Sequence, residues 1–133
     1  MFEYHGWAVV HQDPYEDDNA RLQQIVEELR KVITEYGDGS GVTDVRWING
    51  HCMVWFAGCP NHRHDCVFGL FAWLAGHAPG SYGLLYIRDD ESPDYNNAFE
   101  VWCLRRGRVE VRLDPFLSPC IPVLEDEHDP LKA

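Results

Sequence analysis

The sequence is short of positive charge. Eleven lysines and arginines stand against 22 aspartates and glutamates, a formal charge of −11 with neutral histidines. A surface of that sign repels nucleic acid and anionic membrane, so neither is an expected partner, whereas a basic protein surface is drawn to it. Long apolar runs are also missing: nothing approaches the roughly 18 residues needed to span a bilayer. The opening residues, Met1-Phe-Glu-Tyr-His-Gly-Trp7, have neither the basic head nor the apolar core of a signal peptide. The five cysteines, at 52, 59, 66, 103 and 120, form no tight repeating pairs. A cytoplasmic protein with reduced thiols is expected.

The usual signatures of catalysis are absent as well. There is no Walker glycine loop, no dinucleotide fingerprint, no His-Glu-x-x-His and no Gly-x-Ser-x-Gly. Gly80-Ser-Tyr-Gly83 is too short and too far from a helix start to cradle phosphate. Thiol catalysis needs a Cys and a His in contact. Neighbours on a strand point to opposite faces, so His51 does not serve Cys52, and Cys103 and Cys120 have no nearby His. The expectation is a protein that is not an enzyme and needs no cofactor.

Two sets of polar side chains are left. In Cys59-Pro-Asn-His62-Arg-His64-Asp-Cys66, two thiols and two imidazoles fall within eight residues. Such a quartet has the donor types of a tetrahedral zinc site, and a small zinc-binding protein or enzyme is the alternative reading. The six-residue gap between the cysteines matches no common zinc module, no second knuckle follows, and no Gly lies between them to turn the chain. The plainer reading is a polar loop entering a helix, with Asn61 or Asp65 as cap and Cys66 buried as a small apolar residue.

The second set is acidic. Twelve of the 22 carboxylates fall in three stretches: Asp13 with Glu16, Asp17 and Asp18; Asp89, Asp90, Glu91 and Asp94; and Glu125, Asp126, Glu127 and Asp129. A catalytic carboxylate is usually isolated in an apolar pocket that tunes it, whereas these clusters look solvated. They suit contact with a basic partner better than acid–base chemistry. The candidate contact residues are Glu16, Asp17, Asp18, Asp89, Asp90, Glu91 and Asp94. Each also has a plain reading, as the first turn of a helix or as a solvated loop. Most of the five tryptophans (7, 47, 55, 73 and 102) are expected in the core; one or two exposed near the acidic clusters would make good interface anchors.

What the chain does have is ample apolar material. Hydrophobic residues make up 45%, and a chain of this mass buries about two-thirds of its surface on folding. The expectation is one domain over residues 1–133, with an irregular, acidic, proline-rich tail from about residue 114. Phe2–Val10 has strand composition. Asp13-Pro14 has the form of a helix start, with Glu16, Asp17 and Asp18 in the first turn. Leu22, Ile25, Val26, Leu29, Val32, Ile33 and Tyr36 then recur as one helical stripe, ended by Gly37-Asp-Gly-Ser-Gly41.

Val42–Ile48 and His51–Ala57 flank Asn49-Gly50, a two-residue hairpin signal. A second helix runs to His77, with more apolar residues than one stripe holds; either it is buried on most sides or Phe68 and Trp73 meet a partner. Tyr82–Arg88, Asn97–Arg105 and Arg108–Leu113 complete the strands, the last with Val109, Val111 and Leu113 inward. The order β-α-β-β-α-β-β-β implies an α+β fold, a mainly antiparallel sheet of about six strands with two helices packed on it.

Four stretches taken together carry a resemblance. Met1-Phe-Glu-Tyr-His-Gly-Trp-Ala-Val-Val10, Asn61-His-Arg63, Gly80-Ser-Tyr-Gly-Leu-Leu-Tyr-Ile-Arg-Asp-Asp-Glu91 and Asp114-Pro-Phe-Leu-Ser-Pro-Cys120 resemble the immunity protein 7 family of bacterial polymorphic toxin systems. The resemblance runs to about Glu125. It implies a small α+β protein that binds a cognate toxin domain and protects the producing cell. The acidity adds the expectation of a basic toxin, for instance a nuclease, with its active site occluded. Monomer or weak homodimer is the expected state.

Overall fold

The computed structural model describes residues 1–15, 18–37, 39 and 41–132. Six strands form one antiparallel sheet: β1 (Phe2–Val10), β2 (Val42–Ile48), β3 (His51–Gly58), β4 (Tyr82–Asp89), β5 (Glu100–Arg105) and β6 (Arg108–Leu113), in the order β2-β3-β1-β4-β5-β6. Helix α1 (Asn19–Tyr36) joins β1 to β2, and α2 (Cys66–His77) joins β3 to β4. Both hairpin turns have the backbone their dipeptides favour. Asn49 and Gly50 have φ of 50° and 79°, and Arg106 and Gly107 have 47° and 70°.

The connections explain why neither long helix covers one face of this sheet. β1 and β2 run parallel with β3 between them, and β3 and β4 run parallel with β1 between them. The two crossovers start from antiparallel strands and step in opposite directions across the sheet. Right-handed crossing, the strong rule for such units, then puts both helices on the same side. The burial pattern agrees. Phe2, Tyr4, Ala8 and Val10 of β1, Cys52, Val54 and Phe56 of β3, and Leu85 and Ile87 of β4 face the helices and are buried. They meet Leu22, Ile25, Val26 and Leu29 of α1 and Val67, Leu70, Phe71 and Leu74 of α2. Gly6 belongs to this packing: a Cβ there would sit 2.2 Å from the Phe56 ring, which lies across β1 and meets Phe71 edge-on.

Several expectations change. Helix α1 is capped by Asp18, whose carboxylate accepts from the N–H groups of Ala20 (3.0 Å) and Arg21 (3.4 Å). Asp13 instead closes a local turn by accepting from Tyr15 N–H. Both are good caps, and the helix starts from the one a turn ahead of the apolar stripe at Leu22. Glu16 and Asp17, expected in the first turn, lie outside the described residues, as do Asp38 and Ser40 of the following connection. Strand β6 is an edge: only Val109 packs on the core, while Val111 and Leu113 are 39% and 53% exposed.

Helix α2 begins at Cys66, which is half-buried, after Asp65. Its apolar excess is divided. Phe68 is half-buried between Phe2, Trp102 and the Arg63 guanidinium, and Trp73 stacks on His77.

Strand β5 starts at Glu100, not Asn97, because Asn97 is used to hold the tail. Its amide donates to Ile121 C=O (3.1 Å) and accepts from Ile121 N–H (2.8 Å). The tail begins with a turn built on buried Asp114, whose carboxylate accepts from Phe116 N–H, Leu117 N–H and the Ser118 hydroxyl. A short helical turn, α3 (Cys120–Val123), follows and buries Cys120.

Candidate functional site

At the Phe2 end of the sheet, β4 runs out into its carboxylates. Asp89 is only 8% exposed, so the loop is less solvated than its composition suggests. The Asp89 side chain accepts from Glu91 N–H (3.1 Å) and shapes the turn, while Arg63 lies 3.6 Å from its other oxygen. The Arg63 guanidinium in turn rests over the Phe68 ring, 4.7 Å from its centroid. Asp90 accepts from the Met1 ammonium at 2.8 Å, which holds that amine's pKa above its ordinary value. Glu91 pairs with His62 Nδ1 at 2.6 Å, and this bond holds the carboxyl below its ordinary range. Asp90 and Glu91 are exposed and face outward.

A third partner reaches this end from the tail. Arg88, nearly buried at the end of β4, donates to Glu125, the first residue of Glu125-Asp-Glu-His-Asp129. Its carboxylate comes from 37 residues away, not from the neighbouring acidic loop. Two of the three acidic stretches thus meet at one end of the sheet.

The described residues of the third stretch, Asp13 and Asp18, do not join them. Asp18 lies beyond the opposite end of β1, with its carboxylate spent on the helix cap. A nine-residue strand is roughly 27 Å long, so Asp18 and Asp90 are not neighbours. Asp89, Asp90 and Glu91 come within 4.8 Å of one another, the sole such acidic, thiol or imidazole group of three or more among the described residues. The quartet Cys59, His62, His64 and Cys66 does not converge. His62 is turned to Glu91, and His64 Nδ1 accepts from the backbone N–H of Cys66. None of the five cysteines forms a disulfide, and burial pushes the Cys52 thiol up to about 11.

The separate stretches of sequence that carried the resemblance are joined here. His62 and Arg63 dock on Asp89 and Glu91, Met1 is tied to Asp90, and the Asp114 turn starts the tail that returns to Arg88. A family model, immunity protein 7, matches residues 1–126. The chain belongs to the immunity protein 7 family. Immunity proteins of this kind are non-enzymatic and neutralise a cognate toxin. No curated protein and no solved structure matches the chain. No described helix is long and apolar enough to cross a membrane.

The second surface that matters was not legible beforehand. The sheet face away from the helices carries Trp7, Trp55 and Tyr82, 39–46% exposed, with half-buried Leu84 and Tyr86 beside them. Trp7 and Trp55 are cross-strand partners, and Trp7 meets Tyr82 edge-on. A shallow depression of about 390 Å³ lies among His5, Trp7, Val42, Trp55 and Tyr86. The only sequence signal was the parity of β1, and parity names a face without saying which one the helices cover.

Proposed function

We propose that this immunity protein acts in the cytoplasm by occluding the active site of a basic toxin, a nuclease by preference, with the acidic end of its sheet. Asp90, Glu91 and Asp94 form the contact, with buried Asp89 shaping the turn beneath them, and the run that Glu125 begins extends it. The observation that supports it most is the Arg88–Glu125 pair, which adds the tail's carboxylates to the loop on rigid strand support. Nuclease active sites are basic because they hold phosphate, so an acidic ridge competes for the same field and speeds encounter. Of the other candidate contacts, Glu16 and Asp17 lie outside the described residues, and Asp18, at the far end of β1, is reached by the same toxin only if its footprint spans that strand. Protection calls for nanomolar affinity or better, about −12 kcal/mol.

The test is binding to the toxin domain encoded by the neighbouring gene. Association should slow steeply as salt rises, and Asp90→Lys with Glu91→Lys should weaken the complex by about tenfold or more. Binding that is flat in salt and indifferent to both substitutions would overturn the acidic-end reading.

A further inference from the structure

The charge of this chain is unevenly placed. The strand residues that share the open face with Trp7 carry five arginines (46, 88, 105, 108 and 112) and three carboxylates, Glu3, Asp44 and Glu110. With Glu125, the tail carboxylate that lies on Arg88, that face is +1 in a chain of −11, and the remaining surface holds −12. Its carboxylates are also paired within the face: Glu3 with His5 (2.6 Å), Asp44 with Arg46 (2.7 Å), and Glu110 with Arg105 (3.3 Å) and Arg112 (3.5 Å). A strongly basic partner has nothing to gain there. The aromatic centre is nonetheless the kind that anchors protein interfaces.

We infer that the open sheet face is a self-association surface, covered by the same face of a second copy. Stacked sheets sit about 10 Å apart, so face-to-face docking turns both helix layers outward and keeps their acid beyond a Debye length of about 8 Å. A two-fold axis crossing the strands between the Trp55–Trp7 and Met53–Val9 rows sets Asp44 of each copy against Arg46 of the other. The same axis sends the two acidic ends to opposite sides of the dimer. Six strands about 4.8 Å apart and about 23 Å long give a footprint on the order of 550 Å² per copy. That is below the roughly 800 Å² of a standard interface, so the dimer is a weak one, with a Kd of about 1–100 µM. Each dimer presents two outward acidic ends to toxin.

Sedimentation equilibrium of the purified full chain tests this. A monomer–dimer equilibrium in the micromolar range is expected, weakened at least about tenfold by Trp55→Ala. The equilibrium should hold nearly steady as salt rises, because the Asp44–Arg46 pairs across the axis and the repulsion between the two acidic surfaces are screened together, in contrast to toxin binding. If Trp55→Ala does not fold, Tyr82→Ala, farther out on the same face, serves, with circular dichroism as the folding check. Four results would each overturn the inference. One is a monomer at every concentration, and another is a dimer indifferent to both substitutions in folded protein. The others are a dimer that salt dissolves, and loss of toxin capture in Trp55→Ala, which would give the face to the toxin.

Discussion

Trp7 and Ala8 are neighbours on β1 and have opposite surroundings. Ala8 is sealed under the helices, while Trp7 lies on the bare face beside Trp55. The same strands thus make two different surfaces. The covered one is chosen by connection handedness and holds the molecule together. The bare one is aromatic, with its carboxylates paired within the face, and is free to meet another molecule. Composition alone ranks the two the wrong way round, since Trp is the larger apolar side chain. What decides is which side the crossovers take.

The largest expected contrast is in stability. Phe71→Ala, on the covered side, should cost about 3–5 kcal/mol by lost transfer energy and an unfilled cavity. Trp55→Ala, on the bare side, should cost less, about 1–2 kcal/mol, because 40% of that residue is already in water. Urea titration of both variants measures the difference, and equal costs would mean that the bare face is packed. Next in size is the latch of the acidic end. Glu125→Ala leaves the buried Arg88 guanidinium without its carboxylate and should cost about 1–3 kcal/mol. Arg88→Met, which removes the buried charge itself, should cost less. The reverse order would show that the pair contributes more than the burial takes away.

A smaller effect separates the acidic end from the bare face by pH. The Glu91 carboxyl is held below its ordinary value of 4.5 by His62. A depressed folded pKa means that the contribution is present above the ordinary value and is lost as pH falls through the lowered one. In His62→Ala the Glu91 titration, followed by carboxyl NMR, should move back up. The Met1 ammonium has the opposite sign: its pKa is raised above 8.0, so its contribution is full below 8.0 and fades as pH rises through the raised value. The smallest test is chemical. A thiol reagent should label exposed Cys59 first and reach Cys52 and Cys120 only on unfolding.

Much of the covered face was readable in the sequence. Asn49-Gly50 and Arg106-Gly107 mark their turns because positive φ angles select such residues, and the stripe from Leu22 to Ile33 marks α1. The helix start was not readable, because Asp13 and Asp18 are chemically equal caps and only packing chooses between them. The acidic loop was visible as composition, but its wiring was not: Met1 to Asp90, His62 to Glu91 and Arg88 to Glu125 are long-range pairs that no local spacing encodes. The bare aromatic face was hidden for a third reason. Strand order is set by two crossovers, and neither leaves a mark in the residues that it exposes.

The measurement that bears most directly on the account compares the two surfaces against one toxin. Calorimetric titration of the toxin domain should show the Asp90→Lys, Glu91→Lys variant weakened by about tenfold or more, and Trp55→Ala unchanged. The opposite pattern, with affinity lost in Trp55→Ala and kept in the charge-reversed acidic end, would contradict it.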